Sequence, residues 1–237
     1  MLALVFATSR ESRACLGPAH AGIREGQWAA ITVHDRPCLQ VITGIGPVNA
    51  ALVFGKVLAT FPRLQGAINL GIGGSFDLDR ADLGEWAAAT RETWPEIGVR
   101  HKAGVHARTL GFPQGHAGQD TIWESIDLDP DAHARAMNVS LPPSMARLPF
   151  ITVAGVTATH KRALFLQTMY NGGIENMEGF SLALACATHS LPFLEIRTVS
   201  NKVGPRDTKT WQFGKALGQL GRVLPALFAT PVPHTTP

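Results

Sequence analysis

Short apolar runs alternate along the chain with longer segments in which apolar residues recur every three to four positions. The short runs have the length of buried strands, and the periodic segments have the length of helices. Strands are predicted at residues 2–7, 28–33, 38–43, 66–70, 86–90, 150–156 and 193–198. Helices are predicted at residues 47–60, 160–170, from 177 onward, and 208–228. This alternation predicts an α/β fold.

The stretch from Asn171 to Asn201 carries several candidate functional positions. Met177 and Glu178 begin a helix whose next residues are small or apolar, so this helix is expected to be buried. A buried carboxylate must be paired or bound, although Glu178 in a first turn would also suit the positive end of the helix dipole. The strand that follows brings Ser200 and Asn201 to its carboxyl end, where open α/β sheets bind ligands.

Polar residues follow the first predicted strand, in the order Thr8-Ser9-Arg10-Glu11. Ser9 is able to cap a helix that has Glu11 in its first turn, which is the simpler interpretation of Glu11. Alternatively, Glu11 is a carboxylate at the mouth of the sheet that accepts a proton from water. The pattern alone leaves both roles open.

Two glycine-rich segments also follow predicted strands. Residues 44–50 read GIGPVNA and resemble the opening of a dinucleotide fingerprint, but the third glycine is missing and no acidic residue follows at the expected distance. We therefore predict a tight strand-to-helix turn without a nucleotide phosphate, with Pro47 in the first helical turn. Residues 71–75 read GIGGS, which fits either close approach of the backbone to a ligand or a simple sharp turn.

The pattern weakens between residues 91 and 148, where glycine, proline and histidine are frequent. This segment predicts long surface loops with one short helix near residues 131–137, an arrangement that often forms a lid over a site. Its histidines match no metal-binding spacing. Residues 1–229 are predicted to form a single domain and residues 230–237 a disordered tail.

Composition narrows the possible functions. The chain has 237 residues, of which 45% are apolar and 16% charged, as in an ordinary globular protein. A net charge of +3 without a basic run gives no indication of nucleic-acid binding. Cys15, Cys38 and Cys186 lie far apart in apolar contexts, which predicts reduced core thiols. No signal peptide or membrane-spanning run is recognised, so a cytoplasmic location without membrane contact is expected.

Five motifs, in order, resemble the purine nucleoside phosphorylase and nucleosidase superfamily. They are the first strand ending near Glu11, then residues 44–50, 71–74, 177–179 and 197–201. Each motif is weak alone, but their shared order over nearly the whole chain is specific. Residues 200–207, SNKVGPRD, resemble in particular the futalosine hydrolase branch, which belongs to the alternative menaquinone pathway.

This resemblance implies a three-layer α/β/α sandwich with a central mixed sheet. It also implies a nucleoside substrate, no cofactor or metal, and a homo-oligomer. The implied reaction is hydrolysis of the N-ribosidic bond of futalosine, which releases hypoxanthine and dehypoxanthinylfutalosine. By this resemblance Glu11 is the general base that activates water, Glu178 binds the ribose hydroxyls, and Met177 packs under the sugar.

The resemblance also implies how the base would be bound. Asn201 falls where adenine-specific nucleosidases carry an aspartic acid that protonates N7, and Ser200 would orient it. The ribosyl and base site would be lined by Gly71, Ile72, Gly73 and Thr157. An amide accepts from a protonated N7–H while donating to a 6-oxo group. Asn201 therefore favours a 6-oxopurine over adenine by about 1–3 kcal/mol. The 5' benzoate of futalosine would need a cationic or hydrogen-bonding group, with candidates Arg10, His106, Arg108 and Lys161.

Four other functions fit the sequence less well than hydrolysis of futalosine. A purine nucleoside phosphorylase needs arginines around its phosphate, and residues 44–49 and 71–75 contain none. An aminodeoxyfutalosine or methylthioadenosine nucleosidase is disfavoured by Asn201. A non-catalytic nucleoside-binding protein has no use for Glu11 and Glu178 together. A hydride-transfer enzyme is disfavoured by the incomplete fingerprint.

Overall fold

The computed structural model describes residues 1–102 and 104–229. The strands in this part of the chain are β1 (Leu2–Phe6), β2 (Gln27–Val33), β3 (Arg36–Ile42), β4 (Gly66–Ser75), β5 (Trp86–Thr93), β6 (Val99–His101), β7 (Gly104–His106), β8 (Gly115–Ala117), β9 (Asp120–Ile122), β10 (Ser125–Asp127), β11 (Ala146–Thr152), β12 (Ile174–Asn176) and β13 (Phe193–Lys202). The helices are α1 (Ser9–Leu16), α2 (Pro47–Thr60), α3 (Ala107–Leu110), α4 (Pro130–Ala136), α5 (His160–Tyr170), α6 (Gly179–Thr188), α7 (Phe213–Leu220) and α8 (Val223–Phe228).

Within the described residues, nine strands form one mixed sheet. β1 pairs in parallel with β3 and β4, and the sheet edge is the antiparallel β2–β3 hairpin. At the other end the strands close on themselves, because β4 pairs with β13, β13 with β5, β5 with β11, β11 with β12, and β12 again with β4. This closed ring brings residues from distant parts of the chain to one end of the sheet.

Helices cover both faces of the sheet, as the apolar pattern of β1 requires. Leu4 and Phe6 pack with residues of α1, α7 and α8, whereas Ala3 and Val5 pack with residues of α2 and α6. All of these β1 side chains are buried. Alternate side chains of a strand point to opposite faces, so an uninterrupted apolar strand needs a helical layer on each side. The predicted α/β/α sandwich with a mixed sheet is confirmed.

Several boundaries differ from the sequence prediction. Residues 71–74 are not a turn, because β4 continues through them to Ser75. Ser200 and Asn201 lie within β13 rather than after it. The helix predicted from Met177 begins at Gly179, and Glu178 is its N-cap residue. Thr8, not Ser9, caps α1.

The segment from 91 to 148 contains more regular structure than expected. The predicted helix near 131–137 is present as α4, but five short strands and α3 also lie among the described residues of this segment. Only one of those five strands, β10, joins the main sheet. The long final helix predicted at 208–228 is instead a short 3-10 turn at Thr208–Thr210 followed by α7 and α8.

Among the described residues, no helix is long and apolar enough to cross a lipid bilayer. The tail predicted at 230–237 lies outside the described residues.

Candidate active site

A cavity of about 430 Å³ lies at the carboxyl ends of β1, β4 and β13. Most of the residues that the sequence indicated line it: Glu11, Ile72, Gly73, Thr157, Met177, Glu178, Ser200 and Asn201. Gly71 does not line the cavity. A side chain there would overlap the Arg197 guanidinium and come within 2.8 Å of Glu11 Oε1. Gly71 therefore leaves room for two charged groups next to the cavity wall.

Glu11 is buried and held by three hydrogen bonds. Its Oε2 accepts from the backbone N–H of Thr8 at 3.1 Å and from the Thr8 hydroxyl at 2.7 Å. Its Oε1 accepts from the backbone N–H of Ile72 at 3.0 Å. A carboxylate has about four acceptor sites, so one position remains for water or substrate. Glu11 completes a capping box on α1 and lines the cavity, so its two possible roles do not exclude each other.

Glu178 is buried at the same cavity. Its Oε1 accepts from the backbone N–H of Gly46 at 3.0 Å, and its Oε2 lies 3.4 Å from Arg197 Nη2. Burial raises the pKa of Glu178, whereas Arg197 and the Gly46 amide act against that rise. The glycine turn after β3 thus presents a backbone N–H to a carboxylate, and the φ of 92° at Gly46 is a conformation that favours glycine there.

A buried charge network lies behind the two cavity carboxylates. Arg197 Nη2 lies 2.8 Å from Glu195 Oε1, and Arg197 Nε donates to the same oxygen at 2.9 Å. Burial disfavours the charged guanidinium, but the carboxylates of Glu195, Glu178 and Glu11 more than offset this and raise the pKa of Arg197. Arg197 therefore stays cationic and holds Glu178 from behind.

The network continues to the opposite side of the strand ring through Glu92. The Thr152 hydroxyl donates to Glu92 Oε2 at 2.7 Å, and Asn176 Nδ2 donates to Glu92 Oε1 at 2.6 Å. Asn176 Oδ1 accepts from the backbone N–H groups of Glu178 at 3.0 Å and Gly179 at 2.7 Å. Burial and the neighbouring Glu195 raise the pKa of Glu92 well above its ordinary value. The N-terminus of α6 is thereby fixed by β5, β11 and β12 together.

Asn201 and Ser200 line the same cavity from the end of β13. The Ser200 hydroxyl lies 2.8 Å from Asn201 Oδ1 and 3.1 Å from the carbonyl oxygen of Gly73. Asn201 Nδ2 donates to the carbonyl oxygen of Lys202 at 3.0 Å. An amide has two N–H donors and an oxygen with two lone pairs. One donor and one lone pair of Asn201 therefore remain for a ligand.

Glu175 also lines the cavity, although no sequence motif indicated it. It is 7% exposed, and its Oε1 accepts from the backbone N–H of Thr157 at 3.0 Å. Among the described residues, its Oε2 is buried without a hydrogen-bond partner. Burial raises the pKa of Glu175.

Two exposed arginines, Arg10 and Arg206, line the mouth of the cavity. Arg10 is exposed at the start of α1, and the guanidinium of Arg206 lies 4.8 Å from the ring centre of Trp211. Trp211 and Phe213 line the same mouth. Of the four sequence candidates only Arg10 lines the cavity; His106, Arg108 and Lys161 do not.

The buried polar residues to which the sequence pattern assigned no role share one property. Glu92, Glu175, Asn176, Glu195 and Arg197 are polar residues in strands and are buried. A charged residue inside an otherwise apolar strand, as in the run from Phe193 to Val199, was the available signal, because a buried charge needs a partner. Which partner it meets depends on strands far away in the sequence.

Residues 9–229 match the Phosphorylase superfamily. A protein from Thermus thermophilus named futalosine hydrolase is 30% identical over 190 residues, which are 79% of this chain and 79% of that protein. A Streptomyces coelicolor protein with the same name is 32% identical over 209 residues, 83% of each chain.

Solved structures support the same fold. The native futalosine hydrolase of Helicobacter pylori superposes with a TM-score of 0.71 at 15% identity, covering 95% of each chain. The 5'-methylthioadenosine/S-adenosylhomocysteine nucleosidase of Neisseria meningitidis gives 0.73 at 16% identity, covering 97% of this chain and 99% of that one. At such identities the superpositions establish the fold alone, and the closer sequence relatives establish the family. The chain belongs to the Phosphorylase superfamily and, within it, to the futalosine hydrolase family of N-glycosyl hydrolases.

Proposed function

We propose that this protein hydrolyses the N-ribosidic bond of futalosine, releasing hypoxanthine and dehypoxanthinylfutalosine. The observation that carries the proposal is the presence of two buried carboxylates, Glu11 and Glu178, on one cavity that also contains Asn201. The futalosine hydrolase relatives at 30% and 32% identity support the same substrate.

Glu11 is the general base in this proposal. The bond between C1' and N9 breaks, and the ribosyl group gains positive charge in the transition state. The Glu11 carboxylate accepts a proton from water while the water oxygen bonds to C1'. Glu178 accepts hydrogen bonds from the ribose hydroxyls and, with Glu11, stabilises the developing positive charge electrostatically. Met177 lies at the same cavity and supplies apolar contact for the sugar.

Asn201 binds the leaving base. Its remaining N–H donates to the 6-oxo group of hypoxanthine, and its Oδ1 accepts from N7–H once solvent has protonated N7. Ser200 holds the amide in place from one side. An amide is no acid, so the proton on N7 comes from solvent and not from Asn201. This assignment favours a 6-oxopurine over adenine.

Hydrolysis fits the electrostatics of the cavity better than phosphorolysis. A phosphate dianion attacking C1' would lie beside the carboxylates of Glu11 and Glu178. Arg197, whose Nη2 lies 3.4 Å from Glu178 Oε2, is already paired with Glu195 and Glu178. Like charges at such short range oppose binding. Water, being neutral, meets no such barrier.

The benzoate at the 5' end is assigned to the mouth of the cavity. Arg10 and Arg206 supply positive charge there, and Trp211 and Phe213 supply aromatic surface. An arginine pairs well with a carboxylate through two parallel N–H bonds. This pairing would make the protein bind futalosine in preference to nucleosides with an uncharged 5' group.

A cytoplasmic homo-oligomer is part of the proposal. Three buried free cysteines suit a reducing compartment. Ile45, Val48 and Leu52 are 56%, 77% and 55% exposed along one face of α2 and the turn before it. An apolar stripe of this kind is typical of a surface that meets a second subunit.

The test is base release from futalosine, its 6-amino analogue, inosine and methylthioadenosine, each with and without phosphate. We expect hypoxanthine from futalosine at a rate independent of phosphate. Release that requires phosphate would assign the protein to the phosphorylases instead. Faster release of adenine from the amino analogue would contradict the role of Asn201.

A further inference from the structure

Glu175 has one oxygen occupied and one oxygen without a partner. Oε1 accepts from the Thr157 N–H, and Oε2 is buried without a hydrogen bond among the described residues. Leaving a buried acceptor unsatisfied is costly, so such atoms in native proteins call for an explanation. Two partners are open to Oε2: a ligand, because Glu175 lines the cavity, and the buried Thr157 hydroxyl, which also has no hydrogen-bond partner among the described residues.

The sheet register places Glu175 opposite Asn201. Glu175 pairs with Gly74 on one side of β4, and Asn201 pairs with Gly74 on the other. Side chains of directly paired residues lie on the same face of a sheet. Neighbouring strands are about 4.8 Å apart, so the backbones of Glu175 and Asn201 are separated by roughly 10 Å. Gly74 has no side chain, and the place of its missing Cβ is filled by Val203 Cγ2 at 2.9 Å and by Asn201 Nδ2 at 3.1 Å. A planar base that contacts both Glu175 and Asn201 would therefore lie on the cavity side of these two residues and not over Gly74.

The two side chains offer complementary groups to such a base. Asn201 has a free N–H donor, and Glu175 has a free acceptor. A 6-oxopurine presents the matching pair on adjacent atoms, an oxygen acceptor at C6 and an N–H donor at N1. Adenine presents the reverse, an amino group at C6 and a lone pair at N1, so Glu175 would face a lone pair with its own.

We propose that Glu175 is a specificity-determining residue that accepts a hydrogen bond from N1–H of a 6-oxopurine base. This inference rests on the proposed function and specifies how that site selects its base. Burial disfavours the charged Glu175 side chain and raises its pKa. A hydrogen bond donated by N1–H to the Glu175 carboxylate would replace part of the hydration that this carboxylate loses on burial.

The direct test is Glu175→Gln. The glutamine keeps an oxygen to accept from Thr157 N–H and replaces the free acceptor by an NH₂ donor. We expect the kcat/KM ratio of futalosine to its 6-amino analogue to fall by about tenfold to a hundredfold, the effect of one mispaired buried group. An unchanged ratio in the folded variant would overturn the proposal and leave the Thr157 hydroxyl as the partner of Oε2.

Glu96→Gln is the matched control. Glu96 accepts from the backbone N–H of Ala154 at 2.8 Å and pairs with Arg162 at 2.6 Å, so it fixes the same loop that carries Thr157. It does not line the cavity. The same chemical change there should leave the substrate ratio as it is in the unaltered protein. A fall as large as that of Glu175→Gln would show a loop effect and overturn the assignment.

A second measurement uses the unaltered protein, in case Glu175→Gln does not fold. We expect hypoxanthine to bind at least about tenfold more tightly than 1-methylhypoxanthine, which lacks N1–H. Equal affinities would overturn the role of Glu175. The proposed function fails separately, if the unaltered protein releases no hypoxanthine from futalosine.

Discussion

Glu11 shows how one residue serves the fold and the chemistry together. Its capping box with Thr8 fixes the start of α1, and the same bonds orient the carboxylate toward the cavity. A catalytic carboxylate must be held in a narrow range of geometry. A helix N-terminus is well suited to this, since its N–H groups otherwise lack partners.

Glu178→Gln should lower turnover of futalosine by at least about a hundredfold, because the charge that stabilises the ribosyl cation is lost. The glutamine oxygen still accepts from Gly46 N–H, but its NH₂ group faces the Arg197 guanidinium. Steady-state kinetics with circular dichroism as a fold control would measure the effect. Full turnover by the folded variant would remove Glu178 from the mechanism.

Asn201→Asp should shift preference toward the 6-amino analogue of futalosine. A carboxylic acid donates a proton to N7, and its carboxylate form accepts from the 6-amino group. We expect the ratio of 6-amino to 6-oxo turnover to rise by about tenfold or more, from one exchanged hydrogen bond. If the ratio stays constant, Asn201 does not contact the 6-substituent.

The strands and helices were predictable where one period of apolar residues dominates. β1, α2 and α5 were found from their patterns because their packing is repetitive. The extension of β4 through residues 71–74 could not be predicted, because glycine is unfavourable in strands. Its reason is tertiary: a side chain at Gly71 or Gly73 would overlap groups from β13 or β12. The cavity residues near motifs were therefore predictable from the sequence, whereas no role could be assigned to Arg197 or Glu92, because their partners lie on remote strands.

At the start of α6, Gly179→Ala should destabilise the protein by about 1–3 kcal/mol. A Cβ at this position would overlap the carboxyl groups of Glu92 and Glu195. Urea denaturation would measure the change. The control is Gly218→Ala in α7, where a Cβ meets no atom within 4 Å and alanine is favoured in helices. Equal effects at both positions would contradict the tight packing inferred at Gly179.

At the scale of the whole molecule, the closed ring of strands contains a network of charged side chains that is too buried for water to screen. Arg197, Glu195 and Glu92 are each at most 1% exposed. Two adjacent buried carboxyl groups share one proton more easily than they hold two charges. We therefore expect Glu92 to be neutral in the folded protein and Glu195 to be the partner of Arg197.

The pH dependence of stability should report this neutral Glu92. Its pKa in the fold is raised above the ordinary value of 4.5, so the unfolded chain ionises before the folded protein does. The stability that Glu92 contributes is complete below that value and is lost as pH rises toward the folded pKa. Denaturation midpoints of the unaltered protein and Glu92→Gln should therefore converge, or cross, as pH is raised.

Glu195→Gln is the contrasting variant for the same network. It leaves Arg197 with a weakened partner in a buried site, and breaking such a pair costs about 3–5 kcal/mol. Glu92→Gln, which keeps a neutral donor, should cost much less near pH 5. Equal losses in the two variants would show that the proton is not on Glu92.

The most direct test of the account is turnover of futalosine by Glu11→Gln in the absence of phosphate. General-base catalysis contributes about 10²- to 10⁴-fold, and we predict a loss of that size with the melting temperature close to that of the unaltered protein. Glu25→Gln is the control, because Glu25 accepts from the Ser9 N–H at 2.8 Å at the same end of α1 but does not line the cavity; its turnover should be unchanged. Near-normal turnover by a folded Glu11→Gln protein would contradict the mechanism.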